Sequence, residues 1–201
     1  GQGRMLVPFW DKKDGDLGEF SKGLGLITTF VSDQNTITSI SDQTDLIGIS
    51  GNFLTDVEGS HQQFSMVVVN GPKICEKYPE EESPDWRYFL ESSVYLCSKG
   101  LMLLCLNRER IASSLRWLGV ILRGYKISNI WAHENDTVIL VCSKRGRNVK
   151  TNVLELKKLK EMIDSNEIDH FPNRKCVQVP FIKNYSRAYF RSKYFDPHAM
   201  L

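Results

Sequence analysis

The sequence predicts an α+β fold: mostly antiparallel sheet, with two main helices at about 108–123 and 152–164 packed on one face, and a C-terminal helix. Three observations carry this. The first ninety residues alternate apolar runs with polar turns, "RERIASSLRWLGVILRGYK" has helical periodicity, and "NIWAHENDTVILVCSK" reads as strand, turn, strand. A chain of 201 residues, 41% hydrophobic, has material for one domain. A division into two fused subdomains near 78–88 is also open, with 1–80 acidic and β-rich and 88–201 basic and α+β.

Along the chain, "GLGLITTFV" is a β-rich run with Gly23 and Gly25 as flexible strand entry, and "SDQNTITSISDQTD" is a polar, turn-rich stretch. "LIGISGNFL" returns to strand, with Gly48 and Gly51 as bends. In "QQFSMVVVNGPK" the pair Asn70-Gly71 offers the positive-φ residues of a type I′ turn, against which Pro72 argues. "CEKYPEEESPDW" reads as an acidic loop interrupted by Pro79 and Pro84. "ESSVYLCSKGLMLLCLN" reads as two strands joined at Ser98-Lys99-Gly100. In the first main helix Ile111, Leu115, Leu118 and Leu122 share a face and Gly124 stops it; in the second Val153, Leu156, Leu159 and Ile163 do the same. "YLCSKG" and "LVCSKRG" fall at comparable strand ends, a coincidence more readily than a repeat.

Charge is divided unevenly. Residues 1–90 hold 7 Lys/Arg against 14 Asp/Glu, whereas 91–201 hold 19 against 10, so a net +2 conceals an acidic and a basic part. These parts attract one another within one domain, or the basic one offers a face to a polyanion. No apolar run approaches the ~18 residues of a membrane span, and the reading is a cytoplasmic or nuclear protein. The five cysteines lack zinc-type spacing; Cys97, Cys105 and Cys142 lie in apolar strands and are expected to be reduced, small hydrophobes.

Motifs for chemistry are thin. "WAHEND" gathers His133, Glu134 and Asp136, but neighbours on a strand face opposite ways and the stretch reads as a hairpin tip, so no metal is expected. "GDLGEFSKG" and "PDWRYFLESSVYLCSKG" contain acids and a lysine without the spacing of a metal-dependent nuclease. There is no G-x-S-x-G elbow or Walker loop, and "SKGLGL" lacks the context of a phosphate cradle. No catalytic residue and no cofactor are predicted, and the reading leans away from an enzyme.

What remains is anion binding. "SKRGRNVK" places Lys144, Arg145, Arg147 and Lys150 at a strand-to-helix turn, where helix N–H groups favour phosphate. In "KNYSRAYFRSKYFD", a strand would set Lys183, Tyr185, Arg187, Tyr189 and Arg191 on one face as a stacking platform. A helix, favoured by Pro180 and by composition, would leave Lys183, Arg187 and Arg191 as a stripe and dock Tyr185 and Tyr189 on the core. The expected function is therefore a non-enzymatic module that binds RNA or single strands. The alternative is a self-assembling or adaptor subunit, viral matrix-like or a scaffold, using protein contacts or an anionic membrane surface. The order "GNFL…VEG…QQFSMVV", followed by a hairpin and helix, is similar to the cap-binding domain of influenza-type polymerases over part of the chain; no residue role is carried over from it.

Overall fold

The computed structural model describes residues 3–14, 16–51, 63–107, 109–110, 124–133 and 137–144. Its strands are β1 (Gly3–Val7), β2 (Leu26–Ser32), β3 (Leu46–Ser50), β4 (Phe64–Asn70), β5 (Leu96–Asn107), β6 (Tyr125–His133) and β7 (Thr137–Lys144). They form one 7-stranded sheet in the order β3-β2-β1-β4-β5-β7-β6. The pairs β2/β3, β1/β2, β1/β4 and β4/β5 are parallel, and only β5/β7 and β6/β7 are antiparallel.

The mostly antiparallel sheet predicted from sequence is therefore corrected to a mostly parallel one. The physical reason lies in β1, β4 and β5. Strands covered on both faces are apolar throughout and lose the in-out alternation that marks direction and exposure. β4, "FSMVVVN", is buried at all seven positions. Its residues alternate between two cores. Val67 and Val69 pack with Leu6, Leu104, Ile74, Trp86 and Phe89, while Met66 and Val68 pack on the other side with Met5, Val7, Leu103, Leu17 and Leu24. Helices thus cover both faces, not one.

Four α-helices are present among the described residues: α1 (Leu17–Leu24), α2 (Gln34–Ser39), α3 (Gly71–Lys77) and α4 (Pro84–Ser92). α1 is short, but both ends are fixed. Asp16 accepts from the Glu19 N–H at 2.9 Å, and Gly25 closes the helix at φ 68°. The glycine read as strand entry is thus a helix C-cap. Asn70-Gly71 makes no hairpin: Asn70 caps α3, accepting from Lys73 N at 3.4 Å, and Pro72 sits in the first turn, where its missing N–H costs nothing. Ser98-Lys99-Gly100 is no turn either. The register of β5 against β4 jumps between Phe64/Leu96 and Met66/Leu101, so these residues form an irregularity inside one strand.

Of the stretch read as a loop, residues 75–86, the first three end α3 and the last three open α4, and β4 and β5 on either side of 78–88 belong to the same sheet. The β6–β7 hairpin is as the sequence predicted. The helices expected at 108–123 and 152–164, and the C-terminal helix, lie outside the described residues apart from 109–110. No described helix is long and apolar enough to cross a membrane.

The four described cysteines are free. Burial pushes the thiols of Cys105 and Cys142 up to about 12, so at pH 8 neither forms the reactive thiolate. Alkylation of the native chain followed by mass spectrometry is expected to leave both unmodified until denaturant is added. Labelling of either at the rate of a free thiol would contradict this packing.

Candidate ligand crevice at the switch point

In an open parallel sheet, ligands lie outside the carboxyl ends of the strands, where successive connections leave in opposite directions. Here that point falls between β1 and β4: the chain runs from β1 outward through β2 to β3, then returns to β4 and continues to β5. Four groups of residues meet around it. They are the connection after β1, the end of β2 at Ser32-Asp33, the β4–α3 turn, and the segment after β5.

The connection after β1 contains Pro8, Phe9, Trp10 and a 3-10 turn at Lys12–Asp14. Trp10 donates its backbone N–H to Val31 O at 3.0 Å and sets its ring edge-on to Phe30, centroids 5.4 Å apart. Its Nε1, and the Oγ of Ser32 at the end of β2, are buried without a hydrogen-bond partner. Beside this connection is a cleft of about 310 Å³ whose lining includes Trp10, Asp16, Gly18 and Gln43.

Asp33 follows β2 directly and is exposed. Its Oδ1 accepts the Thr36 N–H at 2.9 Å and its Oδ2 the Thr36 hydroxyl at 2.8 Å, which lowers its pKa below the ordinary aspartate value. A carboxylate offers about four lone-pair sites, so it can still accept from a ligand. On the opposite wall, Lys73 Nζ lies 2.7 Å from Asp11 Oδ2, and Lys77 Nζ sits 4.3 Å from the centroid of the Phe9 ring.

The wall beneath α3 is held by Asp85, fully buried at the start of α4. Arg110 grips it with two bonds, Nε to Oδ2 and Nη2 to Oδ1, both 2.7 Å. Bidentate geometry of this kind fixes position as well as charge. The Asp85 hydrogen bond raises the Arg110 pKa further, and burial, then the Asp85 charge, raise that of Cys75. Both effects disfavour the thiolate form of Cys75.

No family model and no curated protein sequence matches the chain. Solved structures do. A TehB-like SAM-dependent methyltransferase from Corynebacterium glutamicum is similar with a TM-score of 0.53 and 14% identity, over 72% of this chain and 81% of its own. The antibiotic-resistance methyltransferase Kmr gives 0.52 and 11%, over 72% and 88%. A predicted O-methyltransferase from Agrobacterium tumefaciens gives 0.50 and 12%, over 72% and 75%. This chain shares the methyltransferase fold.

That likeness, with the parallel sheet, overturns the non-enzymatic binding module and gives no support to the viral, matrix-like or adaptor alternative. Of the predicted anion-binding residues, only Lys144 is described. It ends β7, and its Nζ donates to the Leu96 carbonyl, beside the amino end of β5 and so at the edge of the sheet away from the crevice. Arg145, Arg147, Lys150, Lys183, Tyr185, Arg187, Tyr189 and Arg191 lie outside the described residues. Among the described residues no three His, Cys, Asp or Glu side chains gather into a metal site.

The signal missed in the sequence is "KDGDLG". In the sequence Lys13 stands at the first position of a G-x-G-x-x-G spacing whose second and third glycines are Gly15 and Gly18, and Gly18 lies in the first turn of α1. Asp33 follows Lys13 by about the 20 residues expected of the acid that holds a ribose. Scanning for three glycines passes over it.

Proposed function

We propose that the chain is an S-adenosylmethionine-dependent methyltransferase whose cofactor lies over the carboxyl ends of β1, β2 and β4. The observation that carries this reading is the strand order with its switch point between β1 and β4, and the likeness of the fold to methyltransferases of known structure supports it. The residues present fit such a group. An exposed carboxylate at the end of β2 suits a ribose diol, and the unpartnered Ser32 hydroxyl and Trp10 indole N–H supply polar atoms next to it. In sequence, Gly15 and Gly18 keep two of the three glycine positions of the spacing that suits close backbone approach to a ligand.

The cofactor would supply an electrophilic methyl on a sulfonium centre. The chain's own part is binding and orientation. Asp33 would accept from the ribose hydroxyls, the connection after β1 would exclude water, and the Asp85–Arg110 pair holds the acceptor-side wall in place. As methyl acceptor we assign a nucleic acid, supported by the excess of 19 Lys/Arg over 10 Asp/Glu in residues 91–201.

Calorimetric titration with S-adenosylhomocysteine tests the cofactor reading, which is wrong if millimolar ligand gives no saturable heat. Transfer of a labelled methyl group to RNA or single-stranded DNA, against protein controls, tests the acceptor. Incorporation into protein alone would refute a nucleic-acid acceptor. Asp33→Asn keeps an N-cap oxygen but loses the charge. It is expected to preserve stability while weakening S-adenosylhomocysteine by about ten- to hundredfold, the value of a hydrogen bond to a charged group. Because the folded pKa of Asp33 is depressed, its carboxylate and the cap stay in place above the unfolded value of 3.8 and are lost only as pH falls through the folded value.

A further inference from the structure

We propose that the Asp11–Lys73 ion pair is a latch across the crevice, which must open before a ligand can lie between the ends of β1 and β4. The proposal rests on the reading of that crevice as the cofactor site. Asp11 belongs to the connection that leaves β1, and Lys73 to the first turn of α3, which leaves β4. Their 2.7 Å contact therefore bridges the connections that leave the two strands flanking the switch point. The side chains are 19% and 26% exposed, Lys73 and Asp11 in that order.

The latch is reinforced. Asp11 Oδ1 also accepts the Lys13 N–H at 2.8 Å, so the same carboxylate holds α3 and the 3-10 turn together. One turn further along α3, Lys77 covers the Phe9 ring at 4.3 Å. On its other side the connection is fixed to β2 by the Trp10 N–H to Val31 O bond. The segment from Phe9 to Lys13 is thus tied to β2 and to α3 at once, directly over the point where a ligand would enter.

A closed latch lowers apparent affinity in proportion to the fraction of chains that are open. Two unusual signs follow. Removing either charge should tighten binding, although both residues border the site. Raising salt should also tighten binding by the native chain, because screening weakens a partly exposed ion pair. S-adenosylhomocysteine carries one ammonium and one carboxylate near neutral pH and so has no net charge for salt to screen.

The test uses the full chain, Lys73→Met, Asp11→Asn and the double variant, titrated with S-adenosylhomocysteine at low and high salt. Each single variant is expected to bind about three- to tenfold more tightly. The double variant should match the singles rather than multiply them, and the variants should lose the salt effect. Weaker binding by either single variant would overturn the latch and assign that residue a direct contact with the ligand; unchanged binding would overturn it too.

Hydrogen exchange of the ligand-free proteins provides a readout that needs no binding. Amides of residues 9–13 should exchange faster in each variant, and equal protection would refute the latch whatever the titrations give. If the native chain and all variants fail to bind while exchange accelerates as expected, the cofactor reading is what falls, and with it the role of the latch in loading.

Discussion

Arg110→Met is expected to lower the stability of the chain by about 3–5 kcal/mol, read from the urea midpoint at constant slope. The Asp85 carboxylate is fully buried and receives two 2.7 Å bonds from the guanidinium. Without Arg110 it retains the Trp86 N–H at 3.0 Å, which cannot offset a buried charge. Asp85→Leu combined with Arg110→Met should recover most of the loss, since replacing both members of a buried pair is often close to neutral. If Arg110→Met costs under ~1 kcal/mol, the pair behaves as a surface bridge and does not anchor the wall of the crevice.

Two alanine substitutions at glycines should differ sharply. A Cβ on Gly71 would stand 2.2 Å from the backbone oxygen of Cys105, so the β4–α3 turn must lift away from β5. Gly71→Ala is expected to cost about 1–3 kcal/mol, as overpacking does. A Cβ on Gly18 would meet Gln43 Oε1 at 1.8 Å, an apparently worse clash, but that atom ends a flexible side chain. Gly18→Ala is expected to stay within ~0.5 kcal/mol of the native chain, helped by the helix preference of alanine. Thermal or urea unfolding of the two variants decides this; equal losses would mean that the Gly71 turn yields as easily as a side chain.

Much of the fold was legible as elements but not as an arrangement. The β6–β7 hairpin could be read because its strands and turn are adjacent in sequence. The pairing of β1 with β4 could not, since Met5 meets Met66 across a long crossover and neither "RMLV" nor "SMVVV" alternates. The sign of charge drew attention to "SKRGRNVK", yet a basic side chain at a strand end serves equally to satisfy a carbonyl, as Lys144 does with Leu96. In the crevice, Asp33 is one of 24 acidic residues and carries no local mark. Only its distance from "DGDLG", together with a parallel sheet, supports the role proposed for it. Asp85 and Arg110 are separated by β5, and nothing in their flanking residues announces that they meet.

The central place of β1 also governs how the chain comes together. It is synthesised before every other described strand, yet one of its two partners, β4, lies beyond β2, β3 and their crossovers. Until Phe64–Asn70 has been synthesised, Met5, Leu6 and Val7 have a neighbour on one side only, and the other edge stays open to any strand that passes. The topology that creates a ligand crevice between β1 and β4 therefore also creates an interval in which the nascent chain exposes the middle of its own sheet.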